Sequence, residues 1–262
     1  MSKGKVWLVG AGPGDASLIT VKGLHCIRRA DVIIHDRLVN PDLLKQAAKN
    51  CLIIDVGKMP NHHPIPQDQI NALLVKYAMA GQQVVRLKGG DPYVFGRGGE
   101  EAEQLAREGL TFEVVPGISS AIGGLAYAGI PVTHRNYSSS FHVVTGHLCQ
   151  GNDPQNWHAL AQIHGTLVIL MGMTRLSEIC QKLIEGGMSA QTPVAVVMYA
   201  SQPRQRMVKG TLATIHLEVE REKIHAPALI VVGEVVNLQE VLAFAATPAA
   251  ITTDEIHCEN IE

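Results

Sequence analysis

Residues 86–101 read RLKGGDPYVFGRGGEE. Just before and inside this run, Val84, Val85 and Leu87 predict a buried strand, which ends in a glycine pair. Glycine lets another molecule approach the backbone closely, and the residue before a proline avoids the helical region, so sharp turns are expected next. Five glycines are interleaved here with a lysine, an aspartate, an arginine and two glutamates. That mixture favours a small-molecule site over a pair of plain turns.

The composition limits the classes of function. Of the 262 residues, 46% are apolar and 18% are charged, which predicts a sizeable core and argues against global disorder. Aromatic residues make up 4%, too few for a surface that stacks single-stranded nucleic acid. The 22 basic and 24 acidic residues nearly cancel, so no broad field for a polyanion is expected. An anionic ligand must therefore be met by a local cluster of charges.

The cysteines and the N-terminus indicate the environment of the protein. The chain has five cysteines, an odd number, and no C-x-x-C pair, so neither a disulfide framework nor a metal site is expected. The first residues show no signal-peptide core, and no apolar run is long enough to span a bilayer. A soluble cytoplasmic protein that binds neither membrane nor nucleic acid is the expectation.

Strands alternate with helices along the chain. We predict strands at residues 6–9, 31–35, 52–54, 84–87, 111–115, 141–145, 166–171, 193–198 and 227–232. This alternation is typical of an α/β protein with mostly parallel sheets. We expect an N-terminal α/β domain over residues 1–116, a C-terminal α/β domain over 117–245 and a flexible tail over 246–262. The active site is expected in the cleft between the two domains.

The first glycine turn, GAGPGD at residues 10–15, follows a strand and precedes a helix. This order opens many nucleotide-binding units. The dinucleotide fingerprint, however, needs a third glycine where Asp15 stands, and Pro13 removes a backbone donor that a pyrophosphate would use. The pattern therefore disfavours NAD.

Two further stretches hold candidate residues. Asp36 follows the second predicted strand, so its carboxylate is expected at the active-site edge; a helix cap or a salt bridge to Arg37 is an equally good interpretation of the residues alone. His62 and His63 stand in a proline-rich loop without a third ligand at a telling spacing, so we interpret them as surface residues and not as metal ligands.

Several motifs together resemble the tetrapyrrole methylases. They are the run at residues 86–101, GAGPGD at 10–15, DRLV at 36–39, PGISSA at 116–121, AGIPVTHR at 128–135 and LVILMG at 167–172. The resemblance extends from Val6 to about Val236. It implies two α/β domains, a homodimer, and S-adenosylmethionine as methyl donor with S-adenosylhomocysteine as product and no metal. The implied substrate is uroporphyrinogen III, methylated twice to give precorrin-2.

The resemblance also implies roles for individual residues. Asp36 is the candidate base, and Lys58 the candidate acid, since a proton must leave the macrocycle. Arg97 and Arg135 are expected to bind the substrate's carboxylates, with Glu100 orienting Arg97 or meeting a pyrrole N–H. The residues expected at the cofactor are Pro13, Gly89, Gly90, Asp91, Val94, Ser119, Ser120, Met171, Ala200, Pro227 and Ala228.

One departure from the family pattern concerns Ala200 and Ser201, which stand where the family usually has Gly-Thr. The extra methyl group makes the backbone conformation at Ala200 uncertain, because alanine disfavours positive φ. Three alternative functions stay open: a methylase of a later precorrin, an NAD-dependent precorrin dehydrogenase, and a non-catalytic tetrapyrrole- or nucleotide-binding module.

Overall fold

The structure is a computed structural model, and it describes residues 3–57, 65–148 and 152–244. The described chain forms two compact units that meet in sequence between Ser119 and Ser120. Each unit contains one five-stranded sheet with helices between its strands. The predicted α/β class is therefore confirmed.

The sheet of the first unit is entirely parallel. Its strands are β1 (Lys5–Gly10), β2 (Val32–His35), β3 (Leu52–Asp55), β4 (Val84–Lys88) and β5 (Thr111–Val115). They lie in the order β3-β2-β4-β1-β5, and each neighbouring pair is parallel. Because the carboxyl ends of parallel strands meet at one edge, the loops that follow these strands share that edge.

Helices cover both faces of this sheet: α1 (Val21–Arg29), α2 (Pro41–Leu44), α3 (Gln67–Met79) and α4 (Gly98–Arg107). Val84 packs with Leu74 of α3 and Leu105 of α4, whereas Val85 belongs to the cluster around Ile27 of α1. Since side chains alternate along a strand, Arg86 shares the α3/α4 face with Val84. Each fully buried aliphatic side chain stabilises the unit by about 1.5–3 kcal/mol.

The sheet of the second unit is mixed. It contains β6 (Phe141–Thr145), β7 (Thr166–Leu170), β8 (Pro193–Met198), β9 (Arg206–Thr211) and β10 (Ala228–Val232), in the order β6-β7-β10-β8-β9. Only β6 and β7 are parallel, so this sheet differs from the mostly parallel one that we predicted. The sequence patterns also miss β9. Its connection to β8 is short, and such a connection closes an antiparallel hairpin, whereas a parallel pair needs a longer crossover.

Two apolar clusters fill the faces of the second sheet. One surrounds Ile179 and Leu183, and the other surrounds Leu125 and Val235. The helices of this unit begin with a π-helical turn, Ser120–Gly124, and continue with α5 (Leu125–Tyr127), α6 (Trp157–Ala161), α7 (Leu176–Glu185), α8 (Ile215–Arg221) and α9 (Gln239–Leu242).

The cysteines of the described residues carry no disulfide. Cys26 and Cys180 are buried, and Cys51 is half-buried. Burial raises the pKa of the Cys180 thiol to about 11, which keeps it protonated and unreactive. Within the described chain, no helix combines the length and apolarity needed to cross a membrane.

Candidate functional site

Three glycine turns cross at the carboxyl edge of the first sheet, and we call Gly10, Gly90 and Gly117 the glycine crossing. A Cβ at Gly10 would lie 2.5 Å from the Cα of Gly117 and 2.6 Å from the carbonyl oxygen of Gly90, so no larger residue fits there. The backbones of Gly12 and Gly90 donate to each other's carbonyl oxygens at 3.2 and 2.8 Å. The loops after β1, β4 and β5 therefore form one assembly.

Asp91 ties the same loops together through its carboxylate. Its Oδ1 accepts from the backbone N–H of Tyr93 at 2.8 Å, and its Oδ2 accepts from the N–H of Gly117 at 3.0 Å. The carboxylate is partly accessible and keeps lone pairs for a further donor. It can thus hold the turn and still meet a positively charged ligand group.

The glycine pair before Asp91 leaves room on its outer side. Gly90 has φ +69°, and a Cβ there would have, among the described residues other than its chain neighbours, the Cα of Ser119 at 3.8 Å as its one contact within 4 Å. A Cβ at Gly89 would approach the Cβ of Leu38 at 3.2 Å. A ligand can therefore come close to the backbone at Gly90, which agrees with the cofactor site expected there. Pro13 and Ser119 lie on the adjoining loops, and Val94 is exposed in the loop before α4.

Asp36 lies at the same edge, beside the end of β4, where its backbone N–H donates to the carbonyl oxygen of Leu87 at 3.1 Å. Its side chain is 35% exposed. Oδ1 accepts a 2.5 Å hydrogen bond from Nη2 of Arg86, which makes Arg86 an ion-pair partner of this carboxylate. The predicted base is thus bound on its protein side by the buried cation Arg86, while part of its side chain reaches solvent.

Arg86 and Lys88 project from β4 into the α3/α4 face, where both meet Glu101 of α4. We call Asp36, Arg86, Lys88 and Glu101 the buried network. Oε1 of Glu101 accepts from Nε of Arg86 at 2.9 Å and from Nζ of Lys88 at 3.0 Å. Arg86, Lys88 and Glu101 are 2%, 1% and 0% exposed. Two cations and two carboxylates therefore balance in charge, and Asp36, at 35% exposure, is the member that reaches solvent.

The pKa values of the two cations of the buried network shift in opposite directions. Burial lowers the pKa of Lys88, the charge of Arg86 lowers it further, and Glu101 and Asp36 only partly oppose this. Burial would also lower the pKa of Arg86, but the attraction of Asp36 and Glu101 raises it on balance. Arg86 is therefore the fixed charge of the network, and Lys88 is the cation that loses its proton more readily.

Sequence reasoning missed this network. Arg86 and Lys88 are two residues apart in an otherwise apolar strand, so they lie on one face of the sheet. Buried lysines and arginines are rare unless they are paired, so this spacing could have signalled an internal ion network. Its partner Glu101 follows only from the docking of α4, which no local pattern reveals.

Arg97 and Glu100 form an exposed pair at the start of α4. Nε and Nη2 of Arg97 donate to the two carboxylate oxygens of Glu100 at 2.9 and 2.6 Å. Arg97 has φ +60°, an unusual conformation for a residue with a side chain. The hydrogen bonds from Arg97 lower the pKa of Glu100 and keep it charged. The arginine is therefore held in one direction while 55% of its side chain stays exposed.

In the second unit, four predicted cofactor residues gather at one edge of the mixed sheet. Met171 follows β7 and Ala200 follows β8, while Pro227 precedes and Ala228 begins β10, which runs antiparallel to both. The N–H of Tyr199 donates to the carbonyl oxygen of Pro227 at 3.1 Å. Met171 has φ +56° and is 51% exposed. Strained conformations of this kind concentrate at functional sites.

Ala200, which stands where the family usually has glycine, is flanked by the residues that take the positive φ values of this turn. Positive φ falls on Tyr199 (+50°) and Ser201 (+60°), and Ala200 does not share it. Ala200 is buried and its methyl group packs near Gly124, where an added Cβ would lie 2.8 Å from it. Alanine is therefore accommodated without the strain that its sequence position suggested.

The remaining predicted residues are placed separately. Arg135 is exposed, in a turn closed by a hydrogen bond from the N–H of His134 to the carbonyl oxygen of Ser138 at 2.9 Å. Ser120 opens the π-helical turn. Lys58 and the predicted tail lie outside the described residues. Within the described ranges, no group of three or more histidine, cysteine, aspartate or glutamate residues is arranged to hold a metal ion.

Comparison with protein families gives one match over most of the chain. The model of the Tetrapyrrole (Corrin/Porphyrin) Methylases matches residues 5–216. This range includes the glycine crossing, the buried network, Met171 and Ala200.

Two curated relatives illustrate the similarity. The uroporphyrinogen-III C-methyltransferase of Priestia megaterium is 54% identical over 235 residues, which are 89% of this chain and 99% of that protein. The siroheme synthase of Acinetobacter baylyi is 50% identical over 240 residues, or 92% of this chain. The chain spans about half the length of the siroheme synthases that it matches, 52% in that case.

A solved structure shows the same fold. Uroporphyrin-III C-methyl transferase from Thermus thermophilus, complexed with S-adenyl homocysteine, is 40% identical and has a TM-score of 0.76. The match covers 90% of this chain and 100% of that one.

Proposed function

The chain belongs to the tetrapyrrole methylases, and from this premise we propose that it is an S-adenosylmethionine-dependent C-methyltransferase. It converts uroporphyrinogen III to precorrin-2 through precorrin-1, by methylation at C2 and C7, and so feeds sirohaem and cobalamin synthesis. The relative at 54% identity, which the chain matches over nearly its full length, supports this substrate.

The observation that carries the proposal is the position of Asp36. Its carboxylate lies at the carboxyl edge of the first sheet next to the end of β4, and the Gly89-Gly90 turn follows directly. One oxygen is bound by Arg86, and the side chain reaches solvent. A carboxylate in this position can take up the proton that the macrocycle loses when its carbon is methylated.

The open backbone at Gly90 and the carboxylate of Asp91 fit the amino-acid end of S-adenosylmethionine, which supplies an already activated methyl group. Gly89, Gly90 and Asp91 bind that end in the proposal. The other residues assigned to it are Pro13, Val94, Ser119, Ser120, Met171, Ala200, Pro227 and Ala228. The enzyme's task is then mainly to hold the reacting carbon, methyl group and sulfur in line.

Arg97 and Arg135 bind the acetate and propionate groups of the macrocycle. A guanidinium recognises a carboxylate through two parallel hydrogen bonds, and both arginines are exposed. Glu100 orients Arg97 through the contacts described above. Lys58 completes the assignment as the acid. A homodimer and a cytoplasmic location remain predictions.

Two measurements test the proposed function. Isothermal calorimetry should detect micromolar binding of S-adenosylmethionine and S-adenosylhomocysteine, and no binding of NAD. Incubation with S-adenosylmethionine labelled in its methyl group should transfer two labels to each uroporphyrinogen III. Binding of NAD without binding of S-adenosylmethionine would contradict the assignment, and transfer only to a later precorrin would move the protein to another reaction of the family.

A further inference from the structure

Glu101 is the carboxylate on which the buried network converges. One of its two oxygens, Oε1, accepts hydrogen bonds from Nε of Arg86, from Nζ of Lys88 and, at 3.1 Å, from Nε2 of Gln67. These donors come from β4 and from the first residue of α3. One buried oxygen atom thus joins a strand and two helices behind the carboxyl edge.

Arg86 is held on three sides of its guanidinium. Nε points to Glu101, Nη1 lies 3.3 Å from the carbonyl oxygen of Ile34, and Nη2 reaches Oδ1 of Asp36. The group is planar, so fixing Nε fixes the direction in which Nη2 donates. The contact between Arg86 and Glu101 therefore determines where the hydrogen bond to Asp36 is aimed.

We propose that Glu101 is a positioning residue: it orients Arg86 so that Oδ1 of Asp36 is held and the carboxylate presents its other oxygen to the substrate. This inference rests on the proposed function, in which Asp36 accepts the proton. Oδ1 of Asp36 accepts the hydrogen bond from Nη2 of Arg86, and the side chain is 35% exposed, so the carboxylate can meet a ligand while Arg86 holds it.

The energetics favour an orienting role over a purely stabilising one. Removing charges from water is expensive, and well-packed apolar side chains often stabilise a core as well as a buried ion network does. The neighbouring positions of this face, Val84 and Leu105, are filled in that apolar way. The charged arrangement adds a defined direction for Arg86, which apolar packing could not supply.

The geometry of Glu101 allows its charge and its oxygen to be tested separately. Within the described chain, Oε2 accepts no hydrogen bond and is fully buried. In Glu101→Gln the amide nitrogen can take the place of Oε2 while the amide oxygen keeps all three contacts. Lys88 can release its proton, and so absorb the lost negative charge, because burial already lowers its pKa.

The experiment measures kcat, KM for uroporphyrinogen III and affinity for S-adenosylhomocysteine in Glu101→Gln and Glu101→Ala. We expect Glu101→Gln to keep kcat within about threefold of wild type. Glu101→Ala should lower kcat by about 10–100-fold, on the scale seen when a residue that orients a metal ligand is removed. KM and the affinity for S-adenosylhomocysteine should not change. Glu103→Gln is the matched control, because Glu103 is exposed in the same helix and accepts a hydrogen bond from Arg107 at 3.3 Å, outside the buried network.

A double variant, Glu101→Leu with Lys88→Met, covers the case in which Glu101→Ala does not fold. It removes one charge of each sign and fills the space with apolar atoms, while Arg86 and Asp36 remain as a pair. It should fold with a melting temperature near that of wild type and still show the loss in kcat. A stable double variant with wild-type kcat would overturn the proposal, and so would equal losses in Glu101→Gln and Glu101→Ala. Absence of transfer by the wild-type protein would instead reject the proposed function itself.

Discussion

The protein contains two ion networks that use the same chemical groups in different surroundings. In the first unit, the buried network places Arg86 and Glu101 at 2% and 0% exposure. In the second unit, a surface network consists of Asp153, Arg175, Glu178 and Lys182, with Glu178 at 48% and Lys182 at 34% exposure. The difference in exposure changes what the same hydrogen bonds can do.

The surface network ties a loop to a helix. Oδ2 of Asp153 accepts from Nε1 of Trp157 at 2.6 Å, from Arg175 at 2.7 Å and from Lys182 at 2.9 Å. Arg175 and Asp153 are 10% and 19% exposed, whereas water and salt reach Glu178 and Lys182, so the attraction of these two outer groups is weakened and easily replaced. In the buried network Arg86, Lys88 and Glu101 are shielded from water and their directions are fixed. We therefore expect ion pairs of similar length to serve the fold in the surface network and, under the proposed function, the chemistry in the buried one.

Asp36→Asn is expected to have the largest effect on methyl transfer, because it changes the member of the buried network that reaches solvent. Asparagine keeps an oxygen for Arg86 and loses the capacity to accept a proton. We expect single-turnover methyl transfer to fall by about 10²–10⁴-fold, the usual scale for a general base. Melting temperature and affinity for S-adenosylhomocysteine should stay near wild type, and both are measured on the same sample.

A different result would assign Asp36 to the fold. If Asp36→Asn melts earlier or binds the cofactor weakly, while its transfer rate at saturation is unchanged, the carboxylate is structural. Lys58, or water held by the carboxylates of the substrate, would then be the next proton acceptor to test.

Arg97→Ala and Arg135→Ala are expected to have the next largest effect. Both arginines are exposed, as Glu178 and Lys182 of the surface network are, but the proposed function assigns them to the substrate. Each should weaken binding of the macrocycle by about 1.5–3 kcal/mol, the range for a hydrogen bond to a charged group. Binding of S-adenosylhomocysteine should be nearly unchanged. The measurement is KM and kcat for uroporphyrinogen III, and wild-type values in both variants would remove these residues from the substrate site.

Asp153→Asn tests the surface network, and its expected effect is the smallest. Burial alone would raise the pKa of Asp153, but hydrogen bonds from Arg175, Lys182 and Trp157 hold it well below the ordinary 3.8. Its folded-state pKa is therefore depressed, so its stabilisation is fully present above about pH 4 and is lost as the pH falls towards the lower value. Near neutral pH the variant should lose about 1 kcal/mol.

Thermal unfolding of wild type and Asp153→Asn across pH provides the check. The two melting temperatures should differ by about 2–4 °C near pH 7 and converge under acid conditions. Methyl transfer should not change at any pH where both proteins are folded. A constant difference between the melting temperatures down to pH 2 would show that the charge of Asp153 is not responsible.

Local patterns predict the first sheet well, for a physical reason. Val32, Ile33 and Ile34 form a continuous apolar run because both faces of a central parallel strand are covered. Glycines then mark the strand ends, so the edge that holds Gly90, Asp91 and Asp36 could be located from the sequence. β9 escaped because the charged Arg206 and Lys209 and the glycine at position 210 interrupt its pattern.

Side-chain partners could not be predicted in the same way. The sequence suggested Arg37 for Asp36, since the two are adjacent, whereas the structure gives Asp36 a partner 50 residues away. The pairing follows from the register of β2 against β4, in which Ile34 lies opposite Arg86. The contact between Arg97 and Glu100 is local, within one turn of helix, and such contacts are the ones that spacing can anticipate.

The glycine crossing has a consequence for how this sequence can vary. The three atoms nearest to an added Cβ at Gly10 would all be backbone atoms, of Gly117 and Gly90. A clash with a side chain can be relieved by a second mutation that shortens it, but a clash with backbone atoms offers no residue to change. Replacements at Gly10 should therefore lack compensating partners elsewhere in the chain. We therefore expect variation at this edge to fall on the residues around the crossing, and the three glycines to be retained together.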